Sequence, residues 1–474
     1  MNVSVVGAGK MGLPIAVWIA SQGAKVWACD HNAAVVEAIR AGRPAVDEPG
    51  IQELLNEGLA AGQLLATTDT TKAVIDSDVI IVIVPAVLDA DHEADLRNLQ
   101  AASRDIARGL RPGTLVVYET TVPVGTTRER LIPILRTSGL EPGEEFLVAY
   151  SPERIKSRLI MRRLTGTPKV IGGFDDRSAA AAVSFYETYL GTSVIDVGSL
   201  EAAEFVKLTG MVYRDVNIAL ANQLAAYAEA IGLDIEPILE ASNNDFETAL
   251  LKPGIGVGGH CIPVYPYFLL NDAVRRGVDM SLVAGARMVN DLQAGRAVAR
   301  LDAALGGLEG RRVGLLGLGF RPEIKEHVCS PTFLVEASLR SYGAETRVYD
   351  PLYTAAELAS HGFAEWNPGD PATWAPEALV LVTGHNAFAG LDLAALRQAG
   401  LRVVVDGRRF WESGLVNGLG LTYLAVGWAD RPLADDYPQS DFEPPVGASA
   451  QAEPHSLSEA LMSDTFPLAE GLLP

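Results

Sequence analysis

The chain is poor in cysteine. Only Cys29, Cys261 and Cys329 occur in 474 residues, too few and too scattered for a disulfide framework or a zinc site. Positive charge is also scarce, with 38 Lys and Arg against 59 Asp and Glu and a formal net charge of −21. A nucleic-acid surface usually needs a basic face, so the charge argues against that role; it does not exclude an anionic substrate held by a few buried arginines. No apolar run reaches the ~18 residues of a membrane helix. The opening MNVSVVGAGK passes straight into a strand, without the charged and apolar regions of a secretion signal. The expected setting is the cytoplasm, with no membrane, no nucleic acid and no metal.

What is present is ordinary globular composition, 48% apolar and 20% charged, in a chain long enough for two or three domains, since single cores stop growing near ~250–300 residues. Nearly continuous apolar strands at 3–7, 24–30, 78–85, 114–119 and 146–151 alternate with helical periodicity. Strands of that kind, separated by helices, predict an α/β fold with a doubly wound parallel sheet. Segment 199–231 reads as one long helix without proline, with apolar positions at Phe205, Leu208, Val212, Ile218 and Leu224. After a boundary near 307–311, the runs RRVGLLG, ETRVYD, ALVLVTG and RVVVDG predict a second Rossmann-like unit. From 429 the chain turns acidic and rich in Pro, Ser and Ala, a composition that favours disorder. The expected division is 1–198 for a nucleotide-binding unit, 199–306 for a helical linker, 307–428 for the second unit and 429–474 for the tail.

Gly7, Gly9 and Gly12 form G-x-G-x-x-G between the first strand and the first helix. Such glycines allow a tight turn and let helix N-terminal N–H groups approach a pyrophosphate. Lys10 and Met11 lie within the turn and are grouped with it as cofactor-binding residues. Asp30 closes the second strand, where a carboxylate accepts from ribose hydroxyls. His31 and Asn32 follow it rather than an arginine for a 2′-phosphate, so NAD is favoured over NADP. The second unit has GLGF with Pro322 at the third glycine position and is not a second dinucleotide site by this criterion.

Cys261 sits in GVGGHCIPVYPYF (256–268). Pro266 suits the first turn of a helix that runs to about Arg276, with Gly277 just past its end. A thiol in a loop leading into a helix N-terminus has the electropositive setting of a nucleophile. Taken alone it reads more often as a small buried hydrophobe, the reading kept for Cys29 and Cys329. The balance shifts because the same chain offers a hydride acceptor and places Lys207, Met211 and Arg214 on one helix face. An oxyanion or phosphate could be held there, although such cations are normally solvated or paired.

Together, VVGAGKMGLPIA, TTVPVGTT (120–127), SPER (151–154), EFVKLTGMVYRDVNIALANQLA (204–225), GVGGHCIP (256–263) and VVDGR (404–408) resemble the UDP-glucose/GDP-mannose dehydrogenase family. The wording is nearest the branch acting on UDP-N-acetylmannosamine and UDP-N-acetylglucosamine, and it spans about residues 1–425. The resemblance implies two Rossmann-like domains joined by a long helix, a homodimer, and NAD-dependent oxidation of a nucleotide sugar at C6 from alcohol to carboxylate. It implies Cys261 as covalent nucleophile, Lys207 as oxyanion donor, Glu153 as acid/base and Thr121 as a positioning residue that also touches the cofactor. Arg154, Ile155, Lys207, Arg214, Gly258, Phe320, Arg321 and Arg408 then fall where the family contacts substrate.

The departures are as specific. Met211 and Tyr265 stand where the family has Asn and Asp, Asp245 and Glu247 where the hexosamine branch often has His and Arg, Val328 where an arginine is usual, and RIKSR (154–158) where R-V-L-P-G is common. The nucleophile, lysine and glutamate are kept while part of the substrate shell is changed. Three other readings stay open: the same chemistry on UDP-glucose or another phosphorylated primary alcohol, a non-catalytic binder of nucleotide sugar or NAD, and a single-oxidation hydroxyacid dehydrogenase. The last would not need Cys261.

Overall fold

The computed structural model describes residues 1–44, 46, 48–154 and 159–428. The expectations for Ile155, for most of RIKSR and for the tail 429–474 therefore lie outside the described residues.

The first sheet has strands Asn2–Val6 (β1), Lys25–Cys29 (β2), Leu64–Thr67 (β3), Val79–Val82 (β4), Leu115–Tyr118 (β5), Leu147–Tyr150 (β6), Lys169–Gly173 (β7) and Val194–Asp196 (β8). Their spatial order is β8-β7-β6-β5-β4-β1-β2-β3. Val3 pairs with both Val26 and Val79, so β1 lies inside the sheet, where its apolar run is buried on both faces. Alternation divides the core: Ile81, Val117 and Ala149 enter one cluster, and Ile80, Val82, Val116 and Val148 the other. The pairing is parallel except between β6 and β7, where Tyr150 faces Gly172 in antiparallel register. The sequence predicts five of these strands; β3, β7 and β8, which it does not predict, lie at or next to the edges of the sheet.

The sheet is flanked by helix Gly12–Ser21 (α1) and leads into the 31-residue helix Leu200–Ala230 (α2). Ser199 caps α2 by accepting from the Ala202 N–H at 3.1 Å. The helices Tyr265–Arg276 (α3) and Ser281–Leu305 (α4) end on Gly277 at φ 68° and Gly306 at φ 70°, left-handed positions that glycine takes without strain. A buried ion pair joins α2 to α4, with Arg287 Nη1 3.0 Å from Asp215 Oδ1. Of the apolar positions of α2, Leu208 is buried while Phe205 is 47% exposed; a helix of this length cannot bury every apolar position against one neighbour.

The second sheet contains Arg312–Leu316 (β9), Glu345–Tyr349 (β10), Ala378–Leu381 (β11), Val403–Asp406 (β12) and Thr422–Ala425 (β13), ordered β10-β9-β11-β12-β13 and parallel throughout. Among the described residues no helix is long and apolar enough to cross a membrane.

Candidate active site

The chain leaves β1 at Gly7, whose φ of +99° and whose closeness to the Ile83 carbonyl exclude any side chain. At Gly12 an added Cβ would lie 1.8 Å from the Gly7 carbonyl oxygen, so this glycine sets how closely α1 approaches the turn. Gly9 differs, because an added Cβ there would meet nothing within 4 Å. The first turn of α1 has no acidic residue and Met11 provides no side-chain cap, leaving N–H groups and helix dipole to an anion. Asp30 accepts from the Ala8 N–H at 3.1 Å and the Asn32 N–H at 2.9 Å, which fixes its carboxylate beside the turn. These residues fit a dinucleotide. Lys10 points across to the second unit, its Nζ 2.9 Å from Glu326 Oε1.

The cysteine loop is clamped from the other side. A Cβ on Gly258 would come 2.5 Å from Phe320 Cβ, and one on Gly256 2.8 Å from Pro331 Cβ. Arg408 donates from Nε to the Val382 carbonyl at 2.8 Å and from Nη2 to the Gly256 carbonyl at 3.1 Å. Beneath the loop, Arg287 Nη1 reaches the Ile262 carbonyl at 3.2 Å. The Cys261 carbonyl accepts from the Tyr265 N–H at 2.9 Å, which places the thiol at the entry to α3. Burial alone would raise the Cys261 thiol. The hydrogen bond and charge of His260, with Lys207 and Arg214, outweigh burial and hold the thiol below its ordinary value. His260 is shifted up chiefly by its hydrogen bond to Cys261.

Tyr265 is buried, its ring 5.4 Å from that of Phe268. Its phenol lies close enough to Cys261 and Thr121 to feel both. Burial pushes the phenol up, so at neutral pH it is a neutral donor beside the sulfur.

Lys207 is buried one helical turn from Met211, and its Nζ donates to the Glu153 backbone carbonyl. Burial lowers its basicity, against the opposing charges of Cys261 and Glu153. Glu153 follows β6, with its N–H on the Glu119 carbonyl at 3.2 Å. Thr121 follows β5 in a segment steadied by Glu204, which accepts from the Gly125 and Thr127 N–H groups at 2.6 and 2.8 Å. The structure thus brings Cys261, Lys207, Glu153 and Thr121 to one place from four distant segments. Arg214 faces the same cluster through its charge on Lys207 and Cys261. Arg154 is exposed and donates to the Pro168 carbonyl. Arg321 is half-buried.

Two of the three cysteine readings follow from placement. Cys29 is buried in β2, its thiol pushed up to about 12 by burial. Cys329 corrects the core reading: it is exposed, at φ 49°, in the turn before Ser330 caps the next helix.

Residues 1–190 match the NAD binding domain of the UDP-glucose/GDP-mannose dehydrogenase family, 201–292 its central domain and 314–413 its UDP binding domain. A UDP-N-acetyl-D-mannosamine dehydrogenase of Pyrococcus horikoshii is 30% identical over 435 residues, covering 91% of this chain and 100% of that one. The chain belongs to the UDP-glucose/GDP-mannose dehydrogenase family. A solved UDP-N-acetylmannosamine dehydrogenase from Pyrococcus horikoshii superposes with TM-score 0.83 at 30% identity, covering 90% of this chain and 99% of that one. A solved UDP-glucose dehydrogenase from Pyrobaculum islandicum superposes at 0.81, also at 30% identity, covering 90% and 98%. A relative from Ralstonia nicotianae, named NDP-N-acetyl-D-galactosaminuronic acid dehydrogenase, is 32% identical over 421 residues, 87% of this chain and 96% of that one.

As a member of this dehydrogenase family the protein is an NAD-dependent oxidoreductase. Its site also includes residues that sequence reasoning passed over. His260 was legible as the neighbour of the cysteine in GGHC. Lys169, Glu119 and Tyr186 were not, because nothing in their local sequence ties them to Glu153.

Proposed function

We propose that this dehydrogenase oxidises the C6 primary alcohol of a UDP-N-acetylhexosamine, UDP-N-acetylmannosamine foremost, to the uronic acid. The observation that carries this reading is the Cys261 thiol, held low by His260, Lys207 and Arg214 in a loop pinned beneath the second unit. A dehydrogenase that stopped at the aldehyde has no use for such a thiol. NAD, when bound, supplies the hydride acceptor for both oxidations.

The first oxidation removes a hydride and the hydroxyl proton from the C6 alcohol. The Cys261 thiolate then attacks the aldehyde carbon; the C–S bond forms, and the carbonyl electron pair moves onto oxygen. Lys207, a buried cation, stabilises that oxyanion. Loss of a second hydride gives a thioester. Glu153 takes a proton from the attacking water, and the C–S bond breaks with the thiolate as leaving group. The sum is alcohol, two NAD⁺ and water to carboxylate, two NADH and three protons. Thr121 and Tyr265 stand together beside the thiol.

In this reading residues 1–198 hold NAD, 199–306 carry the cysteine loop with Gly258, and 307–428 close over the nucleotide through Arg321 and Phe320, with Arg154 and Arg214 reaching the substrate from the other side. Arg408 acts by holding the loop at the Gly256 carbonyl. The decisive assay offers UDP-N-acetylmannosamine, UDP-N-acetylglucosamine and UDP-glucose and counts NADH. Two NADH per sugar are expected from the first, with Cys261→Ser forming no acid while still binding NAD. Normal acid formation by the serine variant overturns the covalent route.

A second reading keeps the chemistry and changes the alcohol, favoured by the buried phenol of Tyr265 against the sulfur where the family has a carboxylate. Its signature is two NADH from a phosphorylated alcohol outside the UDP-N-acetylhexosamines.

The exposed face of α2 supports a homodimer. Phe205, Tyr213, Leu220 and Tyr227 are 47, 56, 46 and 63% exposed, and their spacing of seven or eight residues puts them on one stripe. Met288 and Leu292 on α4 are exposed as well. A homodimer that buries this face is expected, and Leu220→Glu should shift the mass in solution towards the monomer. An unchanged mass would place the contact elsewhere.

A further inference from the structure

Behind Glu153 lies a buried set of charges that the reaction above does not use. Lys169 on β7 has its Nζ 2.9 Å from Glu119 Oε2 and 3.7 Å from Glu153 Oε2, and its side chain is only 10% exposed. Glu119, fully buried just after β5, accepts on Oε1 from the Tyr186 hydroxyl at 2.5 Å. Tyr186 comes from the helix Asp176–Leu190 and presents its ring to the same ammonium at 4.9 Å. Four elements thus converge on one line, Tyr186–Glu119–Lys169–Glu153, running from the core to the active site.

We propose that Lys169 and Glu119 are positioning residues that set when Glu153 holds or releases its proton, in the reading where Glu153 is the acid/base. Two carboxylates share one ammonium in a medium where charges interact strongly. When Glu119 is ionised it competes with Glu153 for Lys169, and when it is protonated the whole ammonium serves Glu153. The titrations of the two acids are linked. Burial pushes the Glu119 carboxyl up, Lys169 pulls it back and the charge of Glu153 pushes it up again, with the net direction upward. Among the described residues, Lys207 from α2, whose Nζ holds the Glu153 carbonyl, and the neighbouring Arg154, whose charge acts on the same lysine, also bear on Glu153. Burial keeps Tyr186 protonated, so it is a fixed donor at the inner end. An acid/base that must take a proton in one step and return it in another depends on the charges around it, and here the ammonium beside Glu153 is shared with a second carboxylate.

The test needs no substrate. Carbodiimide couples glycine ethyl ester to carboxyl groups in their protonated form, and peptide mass spectrometry of the full chain gives the midpoint for Glu153 between pH 4 and 8. Glu119→Gln keeps a partner for Tyr186 and removes the competing charge, so the Glu153 midpoint should fall by about one pH unit. Lys169→Met removes the ammonium, so the midpoint should rise, and Lys169→Arg should restore it. Shifts of opposite sign distinguish a charge relay from structural support, which predicts neither. Unmoved midpoints, or both moving the same way, overturn the proposal; if Lys169→Met fails to fold, the fall in Glu119→Gln alone decides. Turnover of Glu153→Gln tests the acid/base reading separately: full activity there refutes that role, while an inactive Glu153→Gln with unmoved midpoints refutes only the relay.

Discussion

Gly7-Ala8-Gly9 and Gly317-Leu318-Gly319 both leave the end of the first strand of their sheets, between parallel neighbours, and each faces an aspartate that follows the second strand. In the first unit the turn stays open. Gly9 has nothing within 4 Å of an added Cβ, α1 begins at Gly12, and Asp30 takes only the Ala8 N–H from the turn. In the second unit the turn is sealed from inside. Asp350, fully buried, accepts from both the Leu318 and Gly319 N–H groups at 2.7 and 2.9 Å, with His385 Nε2 at 3.2 Å. The next helix starts only at Pro331. The N–H groups that one turn offers to a pyrophosphate are consumed by protein in the other. Similar glycine spacing therefore serves two purposes, and the aspartate's partners distinguish them.

The largest effect should come from breaking the seal. Asp350→Ala leaves three backbone N–H groups, those of Leu318, Gly319 and Leu352, without their acceptor, and buried donors left unpaired cost ~1–3 kcal/mol each. A loss of about 3–5 kcal/mol in urea unfolding is expected, with NAD affinity unchanged. The sign of the pH dependence follows. Burial would raise Asp350, but His385 and the backbone donors hold it below its ordinary 3.8. A lowered carboxylate stabilises above its unfolded value and loses that contribution as pH falls through its folded value. The gap between wild type and Asp350→Ala should therefore be constant near neutrality and narrow below pH 3.8. A gap that stays constant down to acid denaturation would mean that the charge plays no part.

How much of this was legible in the sequence differs between the units for physical reasons. The first turn, Asp30 and the ends of α2 and α3 are local: glycine spacing, a cap serine and a terminal glycine are dictated within a few residues. The seal was not legible, because Asp350 and His385 are 35 residues apart and only the fold sets them together. Pro322 signalled that a nucleotide turn was broken, without showing what replaced it. The relay behind Glu153 was hidden in the same way, with Lys169 on β7, whose antiparallel entry into the sheet no local pattern announced. Cys329 misled because cysteine is usually buried, while the left-handed turn before Ser330 turns this one outward.

The second effect, smaller in energy, should appear only in binding. Gly9→Val fills the open space beside the α1 N-terminus while disturbing no protein contact. NAD affinity should fall a hundredfold or more, about 2.7 kcal/mol, with stability within about 0.5 kcal/mol of wild type. The same change at Gly319, where a Cβ already meets the Ile324 carbonyl at 3.0 Å, should cost stability and leave NAD binding alone. Calorimetric titration of NAD beside thermal unfolding of both variants separates the two turns. Equal NAD loss in both would erase the distinction.

The smallest effect is the most specific. Asp30 is 12% exposed, against 0% for Asp350, so its carboxylate still faces the space beside the turn. Two of its lone pairs are committed to the Ala8 and Asn32 N–H groups, and a carboxylate has about four acceptor sites. The remainder suffice to accept from ribose hydroxyls, and the negative charge repels a 2′-phosphate. His31 is the nearest cationic candidate, and it lies at 3.5 Å against Asp30 itself. Asp30→Ala should weaken NAD by about tenfold, or 1.4 kcal/mol, and weaken NADP less, so that the preference narrows. Asp30→Asn separates the two contributions: the amide keeps an acceptor and loses the charge, so NAD should weaken less than with alanine while NADP gains. An NAD/NADP ratio that neither substitution moves would place the ribose elsewhere, and the difference between the two aspartates would then be one of packing alone.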